Sequence, residues 1–507
     1  MESVVKGFVY LVGAGPGRAD LITVRGAEVL KAADCVIYDK LANPALLQFA
    51  RKDAEIIHVP KRIGKGSVTQ DRINELLVEK ASEGKTVVRL KGGDPCIFGR
   101  IAEELAVLSE AGIDFEIVPG ITAGIAMSSY TGILLTDREY SSQVTFVTGR
   151  EAPDKQESSI DWNLLAKFDG TIVFYMGVGT LSSTARRLIE NGRPEDTPAA
   201  VIANASLPTQ RVVRASLSRI SEECERQKIK PPAIVVVGAA AGSDTKLDWF
   251  MKKPLFGKSI VVTRDIVGNA DFAAKIINRG GNPLTFPTLR IKPLTESDEF
   301  LRTLAKFARY DWIIFTSSNG VAVFFEALEG LGKDARAFGS AKVAVIGSKT
   351  AAKLSEFGIK ADFVPDVFTS EQLGKQLIGF ANLQNKKILL LRSQLASNEL
   401  VDQLAEAGAE VDNIAAYNAV GEKSEYSWLV EGISKGTIDW LTFASPSSVN
   451  GFFEQITGEI VNSGKVRVAS IGPVTSERLK KLGVKIDITA AEHTIDGLLD
   501  AIEECEK

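Results

Sequence analysis

Four short glycine-bearing segments stand directly after apolar runs in the first half of the chain: GAGPG (13–17), GGDP (92–95), VPGITAG (118–124) and YMG (175–177). In an open α/β sheet, ligands bind outside the carboxyl ends of the strands, where glycine lets the main chain approach closely. Placed after strands, GGDP, VPGITAG and YMG are expected to line one rim of a sheet, while each alone reads as loop chemistry. GAGPG invites a dinucleotide reading with Asp34 or Asp39 as the ribose acid. The third glycine of GxGxxG falls on Arg18, however, and Pro16 interrupts the turn, so a plain strand-to-helix connection fits as well. In GSKT (347–350), Ser348 stands where a phosphate-binding loop needs glycine before the lysine, which excludes nucleoside triphosphate binding.

Asp39 closes the run CVIYD, where a carboxylate either accepts a proton from a ligand or caps its own turn. Lys61, Arg62 and Lys65, with Arg89, Lys91 and Arg100, are a local supply of cations for an anionic ligand. The supply is local, because a net charge of −4 and a pI near 5.7 argue against a broad nucleic-acid surface. Cys35, Cys96, Cys224 and Cys505 are far apart and form no CxxC pair, and His58 and His493 are the only histidines. No metal centre or disulfide framework is expected, which fits a reducing cytoplasm.

Strand ends must hold these groups. The runs FVYLVGAG, CVIYD, TVVRL, QVTFVTG, TIVFYMG and AIVVVG alternate with amphipathic segments such as 23–32, the signature of α/β architecture. At 507 residues and 54.6 kDa the chain exceeds one ordinary core, and 45% hydrophobic with 24% charged residues is a globular composition. Its longest apolar runs are about half of the roughly 20 residues a membrane span needs, and the N-terminus lacks a signal-peptide pattern. The alternation pauses near 244–258, in TKLDWFMKKPLFGK, where a domain boundary is expected. Beyond it lies an internal repeat. YDWIIFTSSNGVAVFFEAL from Tyr310 is echoed by IDWLTFASPSSVNGFFEQI from Ile438, and AKVAVIGSKTAAKLSEFGIKADFV from Ala341 by KVRVASIGPVTSERLKKLGVKIDI from Lys465. KSIVVTR, ending at Arg264, matches KKILLLR, ending at Arg392, so two similar lobes facing a shared cleft are expected.

With VYLVGAGPG, VIYD, VPKRIG and NASLPTQRVV in the same order, the glycine loops of about residues 7–240 closely resemble the S-adenosylmethionine-dependent uroporphyrinogen III C-methyltransferases of the tetrapyrrole methylase fold. KGGDP and VPGIT carry most of that resemblance. It implies a first domain over 1–245 with two α/β subdomains, and S-adenosylmethionine lodged among Pro16, Gly92, Gly93, Asp94, Ile97, Thr122, Ala123, Met176 and Ala205, with no metal. It also implies that Asp39 accepts the proton lost by the macrocycle, that Lys61 donates one, and that Arg62 joins a distributed grip on substrate carboxylates. The chain departs from the family at Cys96, where phenylalanine is usual, at Ile101 and Ala102 for two glycines, at Leu134 for proline, at Arg150 for histidine and at Ala205 for glycine. Asp137, where histidine is usual, matters most, because an acid there changes the field near a polyanionic substrate.

About residues 255–507 resemble uroporphyrinogen III synthase, through VVTR, IIFTSSNGV, VAVIG, ILLLR, the tyrosine of IAAYNAV, LTFASPSSV and ASIGPVTSE. That resemblance implies two α/β lobes with exchanged strands, one of about 258–288 plus 420–507 and the other of about 290–418, joined by two hinge strands. It implies a reaction that expels water from hydroxymethylbilane, inverts the last ring and closes the macrocycle. Tyr417 matches a tyrosine proposed to assist departure of the hydroxyl, or else packs between the lobes. Ser317, Ser318, Ser445 and Thr475 follow strands at sites where backbone amides bind carboxylates, or they are plain helix caps; Arg264 and Arg392 complete the substrate set.

Jointly, the resemblances imply a bifunctional cytoplasmic enzyme, transferase and lyase. It would convert hydroxymethylbilane through uroporphyrinogen III to precorrin-2, methylated at C2 and C7, for sirohaem or cobalamin synthesis. Its partners would be small tetrapyrroles and a second copy of the methyltransferase domain, with no nucleic acid and no membrane. The rival expectations are a methylase for a later precorrin with a non-catalytic anion-binding second half, and an NAD-dependent oxidoreductase.

Overall fold

Apolar runs too uniform to alternate with water belong in strands covered on both faces. Of the first five strands, β1 (Phe8–Gly13), β2 (Cys35–Tyr38) and β4 (Thr86–Lys91) are such runs, while β3 (Glu55–His58) and β5 (Asp114–Val118) are charged and more exposed. They pair in the order β3-β2-β4-β1-β5, all parallel. Val9 and Leu11 pack with Ile73, Leu77 and Leu108 on one face, while Val12 packs with Val29 and Leu30 on the other. The helices following β1 (Val24–Ala32) and β4 (Ile101–Glu110) thus cover opposite faces, which opens a crevice at the carboxyl ends of these two neighbours.

A second sheet comprises β6 (Val144–Thr148), β7 (Thr171–Tyr175), β8 (Pro198–Ala203), β9 (Arg211–Ser216) and β10 (Ala233–Val237), in the order β6-β7-β10-β8-β9. Only β6 and β7 are parallel. Helix Ala123–Thr131, which leaves the first sheet after β5, packs Met127 with Val173 and Ile202 of the second. The loop that starts this helix is therefore gripped by both sheets.

Residues after 258 build two further sheets. One pairs β12 (Asn282–Thr285), β11 (Ser259–Val262), β18 (Trp440–Phe443), β19 (Arg467–Ser470) and β20 (Ile488–Thr489), in that order. The other pairs β13 (Leu289–Pro293), β17 (Glu410–Gly421), β16 (Lys387–Ser393), β14 (Trp312–Phe315) and β15 (Lys342–Val345). The chain crosses between them before Leu289 and again after Gly421, and the Glu422 N–H donates to the Thr288 carbonyl at 3.1 Å where the crossings meet. The repeat is visible in the backbone. Helices Ser318–Gly330 and Pro446–Phe453 start from Ser317 (φ −164°, ψ 154°) and Ser445 (φ −168°, ψ 158°), two copies of one extended cap.

The computed structural model describes residues 6–59, 69–151, 158–242, 245–422 and 426–507. They divide into one unit of Met1–Lys258, Ile276–Asn282 and Glu506–Lys507 and another of Ser259–Lys275 and Pro283–Cys505. Among the described residues no helix is long and apolar enough to cross a membrane.

Candidate functional site

At the carboxyl ends of β1, β4 and β5 the chain crowds glycines together. Gly15 and Gly93 exchange backbone hydrogen bonds of 3.2 and 2.8 Å. A Cβ on Gly120 would lie 2.3 Å from the Gly93 oxygen, and one on Gly13 2.5 Å from the Gly120 Cα, so neither position accepts a side chain. Gly93 has φ +72°, a backbone glycine adopts freely. Asp94 stitches the junction: its Oδ2 accepts the Gly120 N–H at 3.0 Å and its Oδ1 the Cys96 N–H at 2.8 Å. Gly92 faces the Asp39 turn, where a Cβ would come within 2.5 Å of the Leu41 Cβ.

The second sheet closes the other side. Tyr175, at the end of β7, accepts the Gly124 N–H at 2.8 Å and shares a 2.8 Å hydrogen bond with the Thr122 hydroxyl. Burial holds this phenol above its ordinary pKa, so it stays a neutral hydrogen-bonding post. Ile97 and Ala123 pack with Ala205 and Tyr175 in one apolar cluster. Pro16 precedes Gly17, which abuts Leu207 from the loop that carries Ala205. Met176 is exposed at φ +56°, and Phe98, Arg100, Asn204 and Ser206 also have positive φ, so five of the seven such non-glycine residues among the described residues fall on these loops. Backbone strain concentrates at functional sites. The nine residues expected to hold a methyl donor thus stand on or beside mutually braced loops that expose Leu41, Phe98 and Met176, with Ile125 exposed on the helix that follows.

Asp39 sits at the end of β2 with both carboxylate oxygens engaged. Oδ1 accepts the N–H groups of Leu41 (3.1 Å) and Ala42 (3.2 Å), and Oδ2 faces Arg89 Nη2 at 3.7 Å. It therefore caps its turn and still points one oxygen at a buried cation. Arg89 and Lys91, expected among the substrate cations, are buried and bonded to Glu104. A charge on a central strand is tolerated only with such a partner. Arg100 is bound by Glu103 at 2.7 Å. Lys61, Arg62 and Lys65 lie outside the described residues. Arg18, where a dinucleotide fingerprint needs its third glycine, is buried and donates to Asp20 at 2.8 Å, so a side chain fills the turn.

In the second unit Tyr417 and Ser317 meet. The buried Tyr417 hydroxyl donates to Ser317 Oγ at 2.9 Å, and the same oxygen accepts the Gly320 N–H at 3.0 Å. Burial, with a smaller push from Asp265, raises the Tyr417 pKa, while the Ser317 bond pulls it down. Ser318 begins the helix that Ser317 caps. Ser445 caps the equivalent helix of the other lobe by accepting the Ser448 N–H at 3.1 Å, and Thr475 is buried in helix Pro473–Lys481. Arg264 is fixed through its backbone: its N–H donates to Asn269 Oδ1 at 2.8 Å and its carbonyl accepts from Asn269 Nδ2 at 3.0 Å. Arg392 is buried and gives its donors to Asn413 (2.6 Å), Asn398 (3.1 Å) and the Ser397 carbonyl. Among the described residues no group of histidines, cysteines and acids is placed to hold a metal ion.

Sequence reasoning singled out Tyr175 only as the first residue of YMG, without a role for its hydroxyl, and missed Glu104. Signals existed for both: a polar-tipped aromatic ending the strand TIVFY, and an arginine in the apolar strand VVRL that demanded a buried acid.

Comparison with known proteins follows the same division. Residues 9–221 match the family model of tetrapyrrole (corrin/porphyrin) methylases, and residues 270–500 that of uroporphyrinogen-III synthase. The porphyrin biosynthesis protein HemD of Ruminiclostridium josui is 37% identical over 98% of both chains. The uroporphyrinogen-III C-methyltransferase of Bacillus subtilis is 39% identical over 70% of this chain and 72% of its own. An S-adenosyl-L-methionine-dependent uroporphyrinogen III methyltransferase of Methanosarcina barkeri is 50% identical over 46% of this chain and 91% of its own.

Proposed function

From the premise that this chain belongs to the uroporphyrinogen-III C-methyltransferase family, extended by a uroporphyrinogen-III synthase region, we propose that it performs two consecutive steps of tetrapyrrole synthesis. The second unit cyclises hydroxymethylbilane to uroporphyrinogen III, and the first methylates that product at C2 and C7 to give precorrin-2. The observation that carries the reading is the junction of Gly13, Gly93 and Gly120 with Asp39 at its edge. Main chain that no side chain can screen suits a compact polar ligand held by amides and carbonyls.

Bound S-adenosylmethionine supplies an electrophilic methyl group to this cradle. Asp94 and Tyr175 keep the GGDP and VPGIT loops in register by bonding their amides. Gly92, Thr122 and Ala123 present backbone to the donor and Gly93 a surface without a side chain, while Pro16, Ile97, Met176 and Ala205 supply apolar contact. Asp39 Oδ2 takes the proton released by the alkylated macrocycle; Lys61 returns one, and Arg62 grips substrate carboxylates. In the second unit the lobe of about 290–418 and that of about 258–288 plus 420–507 close on the linear substrate. Tyr417 donates a proton to the departing hydroxyl, leaving water, and then recovers one through Ser317 or solvent. Ser317, Ser318, Ser445, Thr475 and Arg264 hold carboxylates, and Arg392 braces the turn after β16. The enzyme acts in the cytoplasm as a homodimer through its first unit, which sedimentation would test.

The deciding experiment supplies uroporphyrinogen III and labelled S-adenosylmethionine anaerobically and counts methyl groups. Two are expected, and Asp39→Asn is expected to lower the rate by about 100-fold or more. Hydroxymethylbilane given to the whole chain should yield the type III isomer. Only spontaneous type I product, or Asp39→Asn at full rate, would overturn the corresponding half.

A further inference from the structure

Beneath Asp39 lies a set of charges that the roles above leave unused. Arg89 and Lys91, two apart on β4, share one face of the sheet and are buried there. Glu104, from helix Ile101–Glu110, is fully buried as well. It accepts from Lys91 Nζ at 2.7 Å, Gln70 Nε2 at 3.2 Å and Arg89 Nε at 3.3 Å. Arg89 Nη1 donates to the carbonyls of Leu90 (3.2 Å) and Ile37 (3.4 Å). Its Nη2 is buried with no hydrogen-bond partner among the described residues and points at Asp39 Oδ2 from 3.7 Å. Glu104 thus stands against two cations, and Asp39, 18% exposed, brings a second carboxylate to the Arg89 guanidinium. Interior charges persist only as such paired, bonded sets.

We propose that Glu104 is a positioning residue for methyl transfer: by occupying Arg89 and Lys91 it keeps the Asp39 carboxylate beside the guanidinium without bonding to it, and so turned toward the macrocycle. The inference rests on the proton-accepting role proposed for Asp39. Without Glu104, the buried Arg89 guanidinium loses the acceptor of its Nε and keeps Asp39 as its carboxylate, so the Asp39 oxygen is drawn the remaining distance onto Arg89 and out of reach of substrate.

The test uses the full chain with uroporphyrinogen III and labelled S-adenosylmethionine. Glu104→Gln should lower kcat on the order of tenfold by displacing one reacting group, with KM for the macrocycle and donor affinity nearly unchanged. Lys91→Met combined with Glu104→Gln removes one charge of each sign and should restore kcat to within about threefold, a non-additivity expected of coupled charges. Arg89→Lys retains the charge but not the fork that spans both acids; it also gives up the Nη1 bonds to Ile37 and Leu90, so it should lower the melting temperature, and in the folded variant it should lower kcat with donor affinity nearly unchanged. That variant decides the matter if the Glu104 variants do not fold. A folded double variant no faster than Glu104→Gln, or Arg89→Lys at full kcat, overturns the proposal. Asp39→Asn at full kcat would instead remove the base itself, so the two failures are distinguishable.

Discussion

In the first unit, the residues nearest the candidate donor site lack side chains or turn them away: Gly13, Gly93 and Gly120 touch through backbone, and Asp94 and Tyr175 spend their polar atoms on neighbouring amides. In the second, the candidate groups are side chains on repeated scaffolding, with Ser317 and Ser445 capping equivalent helices and Tyr417 joined to one of them. A small donor that must be approached by main chain demands glycine at fixed places. A large flexible polyanion is held by many exchangeable groups, so no single position is demanded so strictly. The contrast predicts steep losses from minimal changes in the first unit and shallow ones in the second.

The sharpest break should come from one methyl group. Gly120→Ala sets a Cβ 2.3 Å from the Gly93 oxygen, and both partners are backbone, so the loops must separate. Overpacking of this kind costs up to about 3 kcal/mol, which is about 100-fold in donor affinity. Calorimetry with S-adenosylmethionine checks it, and synthase activity of the same sample should be unchanged. Donor binding within about threefold of the parent chain would mean that the glycine junction is packing alone.

Tyr417→Phe is the corresponding change in the second unit. It deletes the proton donated to Ser317 but keeps the ring, and should lower type III formation by about tenfold. That is small for an acid, because the hydroxyl of a hydroxymethyl group on an electron-rich pyrrole leaves readily as water. The pH profile sharpens the assignment. Burial raises the phenol above its ordinary 10.0, so the protonated, hydrogen-donating form persists through neutral pH and is lost only as pH rises past that value. Synthase activity that depends on it should stay level from about pH 7 to about pH 9. An alkaline limb below that range would assign the acid to another group.

The same divide governs what the sequence reveals. Glycine loops are legible because a contact that only glycine fits leaves glycine at its position, and Asp39 is legible as a carboxylate ending an apolar strand. Glu104 is not: an acid in the helical run IAEELAVL is written the same way whether it faces water or Arg89. Nor does residue type tell a pocket wall from a stitch, and Asp94 is at least the second. In the second unit the repeat locates Ser317 and Ser445. The pairings that put β11 beside β18 and β14 beside β16 are distant in sequence. Local periodicity carries no record of those.

The repeat also supplies the finest test, because it makes Ser317 and Ser445 controls for each other. Each caps its helix with a comparable bond, 3.0 Å to Gly320 and 3.1 Å to Ser448, so Ser317→Ala and Ser445→Ala should each cost about 1 kcal/mol of stability. Only Ser317 also receives the Tyr417 proton. Its loss leaves a buried phenol without that acceptor, so Ser317→Ala should lower synthase kcat by about threefold, near 1 kcal/mol for one lost hydrogen bond. Ser445→Ala should act on KM instead, as a carboxylate contact would. Equal melting temperatures with a kcat difference would place the chemistry in the lobe that carries Tyr417. Equal kcat values would reduce Tyr417–Ser317 to a packing contact and return the two lobes to equivalence.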